Sequence, residues 1–277
     1  MSGGLSGRVA LVTGSGRAGG LGLAMARRLA ADGAAVALHD IGRTGDHTAP
    51  AHGVGTTDDL EAARAALEGE GATVSAHTAD LREEAEIERL VGEVVAAHGR
   101  LDILVNNAGV GYLFGPIAEM EVGDLDTVLG VNLRAPFLLI KHAVPHLIAS
   151  GSGRIVCIAS QAAKSGFAFA STYTASKHGL LGLTRSAALE LAEHGITVNA
   201  ICPNHVTTGL GAWQNDFMSR ARGQSEDAYL AEMRARIPLG RPGLPEDTAA
   251  VCAFLCSDAA RYVTAEAINV SGGEEYH

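Results

Sequence analysis

Thr13-Gly14-Ser15-Gly16-Arg17-Ala18-Gly19-Gly20-Leu21-Gly22 is the stretch whose reading decides the fold. It follows a short apolar run, Arg8–Thr13, and leads into an amphipathic segment, Gly22–Gly33, that ends on a glycine. A strand, a glycine-rich turn and a helix in immediate succession make a cradle for a pyrophosphate. The glycines let the backbone approach the anion, and the first amides of the helix offer free N–H groups and a partial positive charge. Gly14, Gly20, Leu21 and Gly22 are the expected contacts.

Working outward, a second strand, Ala35–Asp40, ends on a carboxylate. An acid about 20 residues beyond such a turn bonds both hydroxyls of an adenosine ribose and repels a 2′-phosphate. Asp40 therefore favours NAD over NADP, while Arg17 and Arg43 are the contrary signal. The alternation continues. Helices are expected over Leu60–Gly71, Glu83–His98, Asp126–Ser150 (with a bend at Pro136 or Pro145), Tyr173–His194 and Pro245–Ser257. Strands are expected over Thr73–Thr78, Ile103–Asn106, Arg154–Ile158, Thr197–Ile201 and Ala267–Val270. Seven strands alternating with six or more helices imply an α/β fold, a Rossmann-like, doubly wound parallel sheet covered on both faces. With no linker or repeat, 1–277 reads as one catalytic domain. Two stretches break the pattern: an inserted loop at 42–57 and a polar, partly helical excursion at 205–237. Segments of that kind in compact domains are often functional.

Composition fits this picture. The chain has 277 residues, 47% apolar but only 4% aromatic, so an Ala/Val/Leu/Ile core is expected. A net charge of −10 with no basic cluster argues against a nucleic-acid partner. No apolar run is long enough to span a membrane, and Met1–Gly7 has no signal-peptide pattern, so a cytoplasmic location is expected. The four cysteines, at 157, 202, 252 and 256, read as buried thiols. Cys252/Cys256 and His142/His146 lack the further ligands of a metal site, and no metal is expected.

The chemistry-bearing residues sit at the other strand ends. Tyr173 and Lys177 are one helical turn apart and share a face. A nearby ammonium is expected to lower the phenol's pKa and make it an acid or base nearer neutral pH. Ser160 ends the strand before that helix, and Asn106-Asn107-Ala108-Gly109 ends the fourth strand on the same edge. Open α/β sheets bind their ligands at that edge.

Taken with Asp80-Leu81, Asn132 and the run Pro203–Thr208, these motifs make the chain resemble the short-chain dehydrogenase/reductase family from about Gly7 to Gly273. The resemblance implies a nicotinamide-dependent oxidoreductase that interconverts a secondary alcohol and a ketone. It also implies roles. Tyr173 exchanges the hydroxyl proton, and Ser160 holds the substrate oxygen. Lys177 tunes Tyr173 and bonds the nicotinamide ribose, and Asn132 anchors a proton-relaying water. Asp80 and Leu81 contact adenine, Asn107 lies beside the adenosine ribose, and Val206 and Thr208 hold the carboxamide and pyrophosphate end. Family members assemble as homotetramers or homodimers through their long helices, here Asp126–Ser150 and Tyr173–His194.

Three departures from the family pattern stand out. The glycine turn is two residues longer than Thr-Gly-x-x-x-Gly-x-Gly. Pro203-Asn204 replaces Pro-Gly, and Val270-Ser271-Gly272-Gly273 replaces Val-Asp-Gly-Gly. The 205–237 excursion, with Trp213, Phe217, Met218 and Tyr229, is the expected substrate lid. Val110, Tyr112, Leu113, Phe167 and Phe169 are the expected opposite wall, a mixture suited to a neutral alcohol or ketone. Pro238–His277 resembles the polyol and diol dehydrogenases of the family. Two other readings stay open: an NADPH-dependent ketoreductase of a biosynthetic pathway, and a cofactor-binding regulator without turnover.

Overall fold

The computed structural model describes residues 4–42 and 54–277. Its strands are β1 (Val9–Thr13), β2 (Ala35–Asp40), β3 (Val74–Thr78), β4 (Ile103–Asn106), β5 (Arg154–Ile158), β6 (Thr197–Pro203) and β7 (Ala267–Val270). They form one seven-stranded parallel sheet in the order β3-β2-β1-β4-β5-β6-β7. The doubly wound sheet read from the sequence is therefore the fold. The strand order reverses between β1 and β4, which opens a crevice at their carboxyl ends.

The helices are α1 (Leu21–Ala31), α2 (Thr57–Gly69), α3 (Glu84–His98), α4 (Val122–Leu129), α5 (Ala135–Ser150), α6 (Ser171–Leu191), α7 (Gly209–Ala221), α8 (Glu226–Arg236) and α9 (Pro245–Cys256). Alternate residues of each central strand serve opposite faces. Ala10 and Val12 join a core with Met25 and Leu29 of α1, Leu60 and Leu67 of α2 and Leu255 of α9. Val9 and Leu11 join a second core with Ile87 and Leu90 of α3, Leu139 of α5 and Leu180 of α6. Both faces are apolar, so the strands read as aliphatic runs rather than as an alternation. All four cysteines are buried free thiols. No described helix is long and apolar enough to cross a membrane, and no group of described residues could hold a metal ion.

Two boundaries differ from expectation for clear reasons. α2 starts at Thr57 rather than Leu60, because Thr56 caps it: its hydroxyl accepts from Asp59 N, and the Asp59 carboxylate accepts from Thr56 N. The single helix expected over Asp126–Ser150 begins at Val122 and is broken by a π-turn, Gly130–Arg134. The break precedes Pro136, which brings no N–H to the Asn132 carbonyl and crowds it, so the chain widens by one residue there. Pro145 lies inside α5 without ending it.

One small knot fixes the crevice. Within it the Thr13 hydroxyl donates to Val105 O at 3.2 Å and accepts from Asn107 N at 3.0 Å and Ala108 N at 3.1 Å. The Asn107 amide donates back to Thr13 O at 2.8 Å and Gly14 O at 3.0 Å. Thr13→Val keeps the shape but strands two backbone amides. We expect it to cost about 2–4 kcal/mol in denaturant unfolding, with Thr13→Ser close to wild type. An unchanged unfolding midpoint for Thr13→Val would remove the knot from the account.

Candidate active site

The carboxyl ends of β1, β2, β4, β5 and β6 open into one cleft. Gly14, Gly20, Leu21, Gly22, Asp40, Asp80, Leu81, Asn107, Ser160, Tyr173, Lys177, Val206 and Thr208 all line it, so the structure gathers nearly every residue singled out above. Asn132 is the exception. It is buried behind the wall, where its amide accepts from Val110 N at 2.7 Å and donates to Val110 O at 2.8 Å and Ser176 Oγ at 3.0 Å.

At the adenosine end, the two additional residues of the glycine turn are absorbed in a tight turn closed by Gly20 N to Arg17 O at 3.1 Å. Gly20-Leu21-Gly22 is thereby returned to the start of α1. A Cβ on Gly22 would stand 2.2 Å from Gly14 O, and Gly20 supplies no side-chain cap to the helix. An uncapped helix start against bare backbone is what a pyrophosphate requires. Asp40 is buried, and its carboxylate accepts from Gly16 N at 3.1 Å and Ile41 N at 2.9 Å. His39 beside it is missing from the sequence reading. Burial pushes its imidazole below the usual range, so it adds no cation there at neutral pH. Asp80 is held by Arg82 through both carboxylate oxygens. The ends of the 42–57 loop meet where Gly42 N donates to Gly55 O at 3.1 Å, and Val54 and Gly55 line the cleft beside Asp40. Arg43, with 44–53, lies outside the described residues.

At the floor, β5 delivers Ser160 and α6 delivers Tyr173 and Lys177. The Ser160 hydroxyl accepts from Ala162 N at 3.1 Å and lines the cleft with the Tyr173 phenol. Lys177 is buried. Its ammonium donates to Ile158 O at 2.8 Å and lies 5.7 Å from the centre of the Tyr173 ring. The electrostatics differ from the sequence expectation. Burial dominates: it raises the Tyr173 phenol, against a downward pull from Ser160, and pushes Lys177 down to about 8. The ammonium is spent on a carbonyl and is itself desolvated, so in this state it does not bring the phenol toward neutrality.

The substrate end is built around a residue that the sequence reading passed over. Phe114 packs on Tyr173 at 6.0 Å, Trp213 at 5.6 Å and Phe217 at 5.9 Å between ring centres. Phe114 itself lines the cleft, with Val110, Tyr112, Phe167, Met218 and Tyr229, whereas Leu113 and Phe169 do not, and Trp213 and Phe217 pack on Phe114 without lining it. Its signal was its place in the Gly-rich loop after β4, at the edge where the sheet binds ligands. Phe169 takes a left-handed backbone (φ 67°) that few non-glycine residues adopt, held by Gly115 N donating to its carbonyl at 2.8 Å. α7 and α8 cover this half. Thr208 caps α7 by accepting from Gly211 N at 3.1 Å, and Gln214 of α7 donates to Gly111 O at 3.2 Å. The C-terminal residues fold back beneath. Lys164 donates to His277 O at 2.8 Å and Gln161 to Glu275 at 2.7 Å, so His277 rests on its own chain.

Comparison with known proteins identifies what carries such a cleft. Residues 14–275 match the family model described as enoyl-(acyl carrier protein) reductase. A short-chain dehydrogenase/reductase of Armillaria gallica is 39% identical over 268 residues, covering 96% of this chain and 95% of that protein. The structure of an NAD+-bound xylitol dehydrogenase superposes with a TM-score of 0.87 at 31% identity, covering 97% of this chain and 99% of that one. That of an actinorhodin polyketide ketoreductase with NADPH gives 0.88 at 36% identity, with full coverage of both. The chain belongs to the short-chain dehydrogenase/reductase family. It is accordingly an NAD(P)-dependent oxidoreductase of alcohol and ketone carbons.

The depressed Lys177 yields a stability test. Below pH 8 both folded and unfolded chains carry its proton, and the burial penalty is fully present. Between about 8 and the ordinary 10.5 the unfolded chain holds a proton that the folded chain releases. Lys177 therefore makes stability rise with pH across that window. We expect Lys177→Met to flatten the rise, as read from unfolding free energies at a series of pH values; an unaltered slope would contradict the burial reading.

Proposed function

We propose that this enzyme interconverts a secondary alcohol and a ketone with NAD(H), using Tyr173 as general acid and base. The observation that carries the reading is the convergence of Ser160, Tyr173 and Lys177 on the floor of the cleft that the glycine cradle also lines. A nicotinamide dinucleotide, when bound, supplies or takes the hydride. The protein's own residues do the rest. Ser160 holds the substrate oxygen. The Tyr173 phenol, kept protonated at neutral pH by burial, gives its proton to a ketone oxygen or, in the other direction, receives the proton of the hydroxyl. Lys177 replenishes that proton and bonds the nicotinamide ribose. Asn132, its side chain committed to Val110 and Ser176, offers its main-chain carbonyl to a relaying water, since Pro136 has no N–H to occupy it. α7 and α8, within the 205–237 lid, exclude solvent from the reacting carbon.

NAD is the favoured dinucleotide. The Asp40 carboxylate, at the end of β2, suits two ribose hydroxyls and repels a phosphate. Asp80 and Leu81 would face the adenine, and Val206 and Thr208 the carboxamide and pyrophosphate end. Asn107 acts mainly through the glycine turn that it ties down. The competing reading, an NADPH-dependent ketoreductase, draws its support from Arg17, which also lines the adenosine end. A polyol or diol is the favoured substrate type, on the family likeness of the C-terminal stretch. A homotetramer or homodimer is favoured by the groove of Leu129, Leu133 and Leu183 beside Phe137, which is 53% exposed on α5.

Two measurements test this. With a panel of secondary alcohols and ketones, we expect cofactor-linked turnover with kcat/KM at least ~10-fold higher for NAD(H) than for NADP(H); an NADP(H) advantage would sink the reading of Asp40. Tyr173→Phe should lower kcat by about 10²-fold or more while the protein stays folded, and near-normal turnover would end the role assigned to the phenol.

A further inference from the structure

Charge is distributed unevenly along the cleft. At the adenosine end carboxylates and guanidiniums are mixed, Asp40 and Asp80 with Arg17 and Arg82. Beyond Tyr173, among the described residues, no Asp or Glu lines the wall, and two guanidiniums do: Arg222 at the end of α7 and Arg236, the last residue of α8. The same wall carries the apolar side chains of Phe114, Met218 and Met233, with Gln214 and His205 among them. Tyr229, also buried in this wall, carries the Arg222 guanidinium over its ring at 5.3 Å, which fixes the fork at the cleft mouth.

The two arginines also make ion pairs, and surface pairing alone would explain an ordinary helix end. The pairs are unequal. Arg236 meets Glu274 at 2.8 Å, and Glu274 is only 6% exposed and anchored by Asn204 at 2.9 Å. Arg222 meets Glu232 at 3.3 Å with both side chains open to solvent (41% and 55%), an arrangement worth little and easily exchanged. A bound anion can take the place of Glu232 without leaving a buried charge unpaired. The chain as a whole carries a net charge of −10, so an anionic ligand needs a local cationic feature to enter, and beyond Tyr173 the two arginines supply one.

We propose that the physiological substrate of this cleft carries an anionic group, a carboxylate or a phosphate, separated from the reacting carbon by an apolar spacer and bound by Arg222 with Arg236 in support. This deepens the alcohol/ketone reading above and rests on it. It departs from the neutral polyol or diol favoured there: the apolar lining is the spacer's share, and the ends of α7 and α8 add charge.

The test compares levulinic acid, its methyl ester and the phosphate monoester of the matched hydroxyketone, on wild type, Arg222→Gln and Arg222→Gln/Arg236→Gln. Turnover is read as the ratio of anion to ester kcat/KM. We expect a wild-type ratio of about 10 or more, a fall of at least threefold in Arg222→Gln, a further fall in the double variant, and shrinkage with added salt. Preference for the acid assigns a carboxylate, and preference for the phosphate alone assigns a phosphate ester. Because loss of Arg236 strands Glu274, the single variant decides if the double one fails to fold. Calorimetric binding of the three probes to the Tyr173→Phe protein with NAD(H) gives a readout independent of chemistry. An anion preference in binding that Arg222→Gln abolishes, without turnover in wild type, supports the anion site and overturns the hydride reading. Ester turnover with no anion preference, or a preference that Arg222→Gln leaves intact, overturns the anion site alone.

Discussion

The site depends on the hydroxyl of Thr13. Two strands that diverge at a topological switch point have no ladder to hold their exits together, because the backbone amides there face a crevice rather than a neighbour. Thr13 supplies the missing partners, and Asn107 returns the contact to the glycine turn. One side-chain pair therefore sets both the width of the crevice and the shape of the turn that opens onto it. The absence of a Cβ on Gly22 allows that turn to close so tightly. The rest of the cleft is hung on this frame. β5 and β6 add Ser160 and Val206 on one side, and β2 adds Asp40 on the other.

Burial organises the chemistry as much as proximity does. Tyr173 and Lys177 share a helix face, but they also share a floor poor in water, where each resists being charged. Free tyrosine and lysine hold a proton about equally well; burial separates them, so that the phenol keeps its proton while the ammonium yields one readily. That favours passing a proton from Lys177 to a phenolate left behind by Tyr173. At the adenosine end the buried Asp40 carboxylate is held by the backbone amides of Gly16 and Ile41.

Much of this was legible in the residues. The sheet was readable because every central strand is apolar on both sides, and the floor because Ser160, Tyr173 and Lys177 fall at fixed places relative to β5 and α6. Boundaries were less legible where capping overrode hydrophobic spacing, as at Thr56 and Asp59, although that pair carries a recognisable signature. The π-turn was hidden, since proline announces a disturbance without saying which helical geometry absorbs it. The substrate wall was the least legible part. Trp213 and Phe217 look like lining residues by composition, but Phe114 comes between them and the cleft, and only the packing of three rings reveals it. Nothing in the sequence relates Arg222 to Arg236; the fold brings the ends of α7 and α8 to one opening.

The π-turn has a consequence for how the molecule can change. A turn with one surplus residue absorbs the roughly 100° by which an extra residue would otherwise rotate everything downstream about the helix axis. Leu138 and Leu139 therefore keep their places in the interior although the chain has one residue more than an unbroken helix needs. Removing a single residue from Gly130–Arg134 would restore an unbroken coil and leave α5 in register, but it would close the widened turn that holds Asn132 against Val110 and Ser176, even though no residue of the cleft wall had been substituted. This segment therefore tolerates exchange of many side chains better than loss of length.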